Sequence, residues 1–471
     1  MSLLGQGCRF FCGRTDMRLL TRALLVACTV SGSITYAEDP KPTTTTTVVV
    51  VPLSAGDEKG DGKKAEEQPD PNEAYQKMLA QQAKAIAELG KTASHKPLTT
   101  VEIKPAASGV GLQTLTLDTE GNVLALVAPP RYFNAVDKGA ASEVRKYSPD
   151  GKPLGAWAVD FHAHALNAAP DGTVYVAGDG KVARFDKSGK AVSGPVELPF
   201  VADLLKDKDA LRKKAEENLK QQKEQIVVSL KKVKKQFEDQ VKKIEAKAED
   251  DRTKTEKRQL QQAKAILKSY EQSEEYYTKR TVEDVLTEMT SRLRIVNGIA
   301  ASETDVFVAC GESEGFGYGV WRMSRDVTGP KKVLGGIGGC CGQMDIQVQG
   351  ADLLVAENTK HQFARYDRDG KKLGTFGKRG QDTDPACFGG CCNPMNLRAC
   401  GTGGDIFTAE SEGIVKRFSP EGKYLGTAAA VTVNGGCKNV AVAVNADASR
   451  IYFCDQPGGK FFILAKPAAA K

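Results

Sequence analysis

The chain has 471 residues, a net charge of +7 and 41% hydrophobic residues, enough apolar material for one large core or two domains. Charged residues make up 27% of it in both signs, a balance too mild to argue for nucleic acid as a partner. After the N-terminal region no apolar run is long enough for a transmembrane helix.

Residues 1–37 read as an export signal. Arg18 and Arg22 precede an apolar stretch at 23–34, and Thr35, Tyr36 and Ala37 offer small residues for cleavage after Ala37. Met17 is an alternative start. Residues 25–28 (LVAC) also resemble a bacterial lipobox, which would make Cys28 a lipid anchor, the second choice here. The expected location is therefore periplasm, cell envelope or outside the cell. Residues 38–98 form a linker of low complexity, with a short helix expected near 71–89 and Gly90 as its cap.

From residue 99 the texture changes to short β-type runs that recur. One set reads NVLALVA at 122–128, TVYVA at 173–177, DVFVA at 305–309, DLLVA at 352–356, DIFTA at 405–409 and RIYFC at 450–454. A second phrase follows most of them: VRKYSPDGKPLG at 144–155, VARFDKSG at 182–189, FARYDRDGKKLG at 363–374 and VKRFSPEGKYLG at 415–426. Each is a strand, a glycine turn and a departing strand, which is a hairpin. Four short strands in about 40–50 residues is the length of a propeller blade. Blades 1 and 2 are expected at 99–199 and blades 3–6 at 293–471. A strand at 100–104 should close the ring beside 461–464.

These phrases resemble NHL repeats, best at 357–367 and 410–419. The resemblance implies an all-β six-bladed β-propeller, and it says little about function, because this fold hosts many.

Residues 200–292 interrupt the repeats. No Gly or Pro occurs between Pro199 and Gly298, and Lys, Glu, Gln and Ala dominate, all helix formers. Leu219, Ile226, Leu230, Val233, Phe237 and Ile244 keep roughly heptad spacing, and Leu260, Ala263, Leu267, Tyr270 and Tyr277 form a second stripe. The expectation is an antiparallel helical hairpin, a coiled coil with arms of up to about 60 Å, inserted between the second and third blades. Residues 281–284 (TVED) should start a helix leading back to the ring. A protein partner is expected along this hairpin.

If the signal is removed, nine cysteines remain, all between Cys310 and Cys454. GGCC at 338–341, GGCC at 389–392 and GGC at 435–437 recur just before expected innermost strands at 344–346, 395–397 and 439–441. In a propeller such links surround one mouth of the axial channel. Cys340, Cys341, Cys391, Cys392 and Cys437 should therefore gather there, with Cys387 and Cys400 near enough in sequence to join. Disulfides between neighbouring loops are one reading. A zinc, copper(I) or iron–sulfur site is another, and redox-active adjacent pairs are a third. His162 and His164 occupy the corresponding position in the second repeat, alternate along an expected strand and are possible added ligands. Glu357, Glu410 and Asp455 are expected to bond backbone between blades. Nothing in the sequence shows a Ser-His-Asp order, a phosphate loop or a dinucleotide fingerprint, so catalysis has little support. Some propellers of the kind these repeats resemble are lyases with a metal held by several pore histidines; this chain has four histidines, only two of them near the expected mouth, so that reading is the least favoured.

Overall fold

A computed structural model describes residues 71–107, 109–130, 141–312, 317–339, 343–380, 384–390, 392–400, 404–433 and 439–467. The expected signal at 1–37, most of the linker, and Cys340, Cys341, Cys391 and Cys437 lie outside the described residues. The chain forms two units, 1–84 and 85–471. The helix expected near 71–89 is α1, Pro71–Thr92, and it runs through Gly90 rather than stopping there.

Six four-stranded antiparallel sheets follow. Blade 1 comprises β2 (Gly111–Leu117), β3 (Val123–Ala128), β4 (Ser142–Tyr147) and β5 (Pro153–Val159). Blade 2 comprises β6 (Ala165–Ala168), β7 (Val174–Gly178), β8 (Lys181–Phe185) and β9 (Ala191–Glu197). Blade 3 holds β10 (Val296–Ala301), β11 (Asp305–Gly311), β12 (Gly317–Ser324) and β13 (Lys331–Gly338). Blade 4 holds β14 (Ile346–Gln349), β15 (Asp352–Glu357), β16 (Gln362–Asp367) and β17 (Lys372–Phe376). Blade 5 holds β18 (Asn396–Cys400), β19 (Asp405–Ala409), β20 (Ile414–Phe418) and β21 (Tyr424–Ala430). Blade 6 holds β22 (Val440–Val444), β23 (Arg450–Asp455) and β24 (Lys460–Ala465), with β1 (Lys96–Glu102) as its outermost strand. The first strands of the blades touch in one closed cycle, β2–β6–β10–β14–β18–β22 and back to β2. This is the arrangement of a six-bladed β-propeller. Closure comes from β1, which pairs antiparallel with β24, Thr100 opposite Phe462 and Val101 opposite Phe461. That strand begins four residues earlier than the sequence indicates.

The second strand of each blade is buried on both faces, which is why its sequence is a continuous apolar run. In β3, Leu124 and Leu126 face blade 2 while Val123, Ala125 and Val127 face blade 6. Each of the six spaces between blades holds its own buried cluster.

The recurrent hairpin phrase has two physical causes. Its Asp or Ser accepts backbone amides across the turn, as Asp367 does from Asp369 and Lys371 at 3.0 and 2.8 Å, and Asp186 from Ser188 and Lys190 at 2.8 and 3.0 Å. Its glycine has positive φ, +92° at Gly370 and +86° at Gly189, and rests against the outermost strand of the preceding blade. A Cβ on Gly189 would lie 2.5 Å from the Trp157 ring, and one on Gly370 would overlap the Val333 carbonyl.

Between β9 and β10 the chain is helical: α2 (Pro199–Lys206), α3 (Lys208–Gln222), a π-turn (Lys223–Val227), α4 (Val228–Glu245), α5 (Lys254–Lys279) and α6 (Val282–Arg294). From α3 to α4 the arm extends for about 57 Å. α4 packs on α5 in antiparallel order, with Phe237 stacked on Tyr270 at 6.2 Å and Lys234 paired with Glu271 and Glu274, each at 3.6 Å. α3 packs on α6 through Leu211, Ala215, Val285 and Met289. Thr281 and Asp284 form a capping box at the start of α6. Both feet of the arm meet the β7–β8 turn of blade 2. The Gly180 amide donates to the Arg294 carbonyl and its carbonyl accepts from the Leu198 amide, both at 2.8 Å. No helix among the described residues is long and apolar enough to cross a membrane.

Candidate functional site

The first strands place polar side chains on the axis. Across each of three blade junctions, a side-chain oxygen accepts a backbone amide of the next first strand. Asn167 accepts from Ala301 at 3.1 Å, Asp345 from Leu397 at 2.9 Å and Asn396 from Val442 at 2.9 Å. Gln343 reaches further: its Nε2 donates to the Val440 carbonyl at 2.9 Å, from blade 4 to blade 6. Gln456 donates to Gln113 at 2.6 Å and joins blade 6 to blade 1.

Asp345 and Arg398 form a buried ion pair at 2.6 Å. Burial pushes the Asp345 carboxyl up from its ordinary value, while the Arg398 guanidinium and the Leu397 amide pull it back. These groups, with His164, Asn297 and Asn439, line an axial cavity of ≈ 30 Å³, room for about two water molecules. A drug-sized ligand needs roughly 300–1,000 Å³, more than this cavity offers among the described residues.

His162 and His164 are brought together, their rings edge to face at 4.4 Å. They precede β6 rather than lying within it, so strand alternation is not what aligns them. His162 Nε2 bonds the Pro129 carbonyl at 2.9 Å, and His164 borders the axial cavity.

Of the seven cysteines singled out in the sequence, Cys387, Cys392 and Cys400 are described. Cys392 is buried among Met395, Phe407 and Val431 just before β18. Cys387 is buried earlier in the same link, and its carbonyl accepts from the Lys416 ammonium. Cys400 ends β18, so the length of that strand, roughly 13 Å, separates it from the Cys392 end. Burial pushes the Cys400 thiol up to about 12. Cys310 and Cys454 are fully buried, free thiols with pKa values raised by desolvation. Among the described residues no group of three or more His, Cys, Asp or Glu could hold a metal ion.

The link between β17 and β18 is tied to blade 5 by buried polar groups. Lys416 pairs with Glu410 at 2.8 Å, and Glu410 accepts the Gly389 amide at 3.2 Å. Burial raises the Glu410 carboxyl, opposed first by the Lys416 charge. Asn393 donates to the Gly389 carbonyl at 2.9 Å and to Glu412 at 2.7 Å, and accepts from the Ser411 amide at 2.9 Å. Glu357 departs from expectation. It bonds Tyr366 and Gln362, both at 2.5 Å, and pairs with Lys360 at 3.1 Å, all within its own blade, because β16 runs directly opposite.

The axial carboxamides and Lys416 escaped the sequence reading. Both leave a trace in the aligned copies. Gln113, Asn297, Gln343, Asn396 and Asn439 recur beside or at the start of first strands, and Lys416 stands where two other hairpin phrases have Ala183 and Ala364.

No family model matches this chain, and no curated protein matches it. Solved structures do. One is titled a structure of U3-55K, with 8% identity, a TM-score of 0.35, and coverage of 76% of this chain and 81% of that one. Another is a structural-genomics protein of unknown function from Bacteroides thetaiotaomicron, with 9% identity, a TM-score of 0.41, and coverage of 79% and 72%. Likenesses this distant carry no argument about function.

Proposed function

We propose that this protein is an exported NHL-type propeller that works as a binding scaffold, with the cysteine-rich links as one contact surface and the helical arm as a docking lever for a protein partner. One observation carries the reading. The arm leaves between β9 and β10, and the cysteine-bearing segments lie between β13 and β14, β17 and β18, and β21 and β22. All are the same connection, from the last strand of one blade to the first strand of the next, and such connections share one end of a propeller. The tightness of the axial cavity supports a role for this face over the channel.

A photo-crosslinking residue in place of Val228 or Tyr276, both exposed on the arm, tests the scaffold reading in cells. The expected result is a discrete adduct with one partner, suppressed by an excess of the unsubstituted chain but not by an excess of a chain lacking α4 and α5. A smear, or equal suppression by the chain lacking α4 and α5, would refute it. N-terminal sequencing of the mature protein tests removal of residues 1–37.

The runner-up is a metal- or redox-active propeller using Cys340, Cys341, Cys391, Cys392 and Cys437. Buried polar groups around Gly389 and Asn393 support it, since they would hold the Cys391–Cys392 link in one geometry. Metal analysis of purified protein, with thiols counted before and after reduction, separates the two. Stoichiometric metal lost on Cys391→Ser would promote the runner-up.

A further inference from the structure

We infer that the axial cavity bounded by Gln343, Asn439 and Arg398 is a built site for resident water, a neutral polar plug that joins blades 4, 5 and 6 and admits neither a metal ion nor an organic substrate. The inference stands apart from the scaffold reading and holds whichever partner the arm takes.

Three buried polar atoms lining this cavity have no partner among the described residues: Gln343 Oε1, Asn439 Oδ1 and Arg398 Nε. Gln343 and Arg398 are each only 8% exposed. The Gln343 amide cannot turn to hide its oxygen, because its Nε2 is committed to the Val440 carbonyl. Arg398 is equally fixed, its Nη1 bonded to Asp345 and to the Leu397 carbonyl, both at 2.6 Å. The guanidinium therefore presents Nε–H from a set orientation.

Left unsatisfied, each such group forfeits the hydrogen bonds it makes with water in the unfolded chain. Water is the one small molecule that answers all three, since it donates two hydrogen bonds and accepts others. A buried water typically makes about three. Charge rules out the alternatives. Asp345 and Arg398 cancel one another, so a cation would meet the guanidinium and an anion the carboxylate. A desolvated ion without a counter-charge of its own is strongly disfavoured. Size rules out the rest, because ≈ 30 Å³ is filled by about two waters.

The test is a crystal structure of the full chain grown in one condition with rubidium and another with bromide, read by anomalous scattering. The expected result is one or two water peaks within hydrogen-bond distance of Gln343 Oε1, Asn439 Oδ1 and Arg398 Nε, with no anomalous peak in the cavity. A rubidium or bromide peak there, a dry cavity, or density for a larger guest would overturn the inference. In solution, oxygen-17 relaxation dispersion should count at least one long-lived water fewer in Gln343→Leu than in the parent chain. Should that variant fail to fold, Asn439→Leu serves. An unchanged count in the folded variant would also overturn the inference.

Discussion

Replacing Gly370 by Ala tests how the blades hold one another. Gly370 sits at φ +92° in the β16–β17 turn, and an added Cβ would overlap the Val333 carbonyl oxygen and lie 2.9 Å from its carbon. The clash is with backbone of β13 in the preceding blade, so no rotamer change relieves it. Gly121 supplies the control. Its φ is +80°, and a Cβ there meets nothing within 4 Å. Gly121→Ala should cost only the left-handed strain, roughly 1–2 kcal/mol. Gly370→Ala adds an overpacking cost of roughly 1–3 kcal/mol, for a total of about 2–5 kcal/mol. Urea unfolding followed by tryptophan fluorescence and circular dichroism measures both, at unchanged slope. Equal destabilisation of the two variants would show that the turn does not bear on its neighbour, and the account of the repeat glycine would fail.

Three further outcomes are expected. Burial holds the His95 imidazole below 6.5, with Nε2 donating to the Ala448 carbonyl at 2.9 Å. The folded form is neutral, so the stability it gives is full above pH about 6.5 and is lost as the pH falls from there through the lowered folded value. Hydrogen exchange at Thr100 and Val101 of the closing strand should show a smaller opening free energy at pH 5 than at pH 7, and His95→Gln should remove most of that difference. Lys416→Met leaves Glu410 buried and unpaired, which should cost about 3–5 kcal/mol. Adding Glu410→Gln should recover part of it in the same urea assay, and a double variant no better than the single would refute the pairing. Arg280→Met should raise hydrogen exchange through residues 223–227 and 279–283 while the propeller strands keep their protection. Arg280 is buried where α5 breaks, donates to Gln222 at 2.5 Å across the arm, and pairs with Glu288.

What the sequence reveals depends on how often a constraint recurs. The second strands are legible because two neighbours bury them from opposite sides, which forces Val, Leu, Ile, Phe and Ala at nearly every position from Val123 to Ala128 and again in five other blades. The hairpin glycines are legible because Gly151, Gly189, Gly370 and Gly422 all meet the same steric demand. The first strands are harder to find. β6 and β14 have four residues each and mix polar residues (Asn167, Gln347 and Gln349) with apolar ones, so neither length nor apolar pattern marks them. The Gln343 bond to Val440 and the Asp345–Arg398 pair arise once, between segments 97 and 53 residues apart. No local pattern encodes such contacts. Glu357 shows the same limit, since its partners are set by the register of β15 against β16.

The arm is built into the ring rather than hung from it. Phe200 of α2 stacks flat on Trp321 of β12 at 4.1 Å and 6°, with the Lys332 ammonium over the same indole at 5.6 Å. Leu198, Phe200 and Val201 complete the buried cluster between blades 2 and 3. The first foot thus helps to fill the space between blades 2 and 3, and Gly180 ties the second foot to the β7–β8 turn. Interfaces this closely packed are not continuously deformable, so a displacement of α3 or α6 must move blades 2 and 3 with it or break at a weaker point. The weaker point is where both arms lose regular α-helix together, at the π-turn and at Arg280. A partner gripping α4 and α5 would therefore bend the arm at that level first, and would strain the junction between blades 2 and 3 only after the Arg280 contacts are spent.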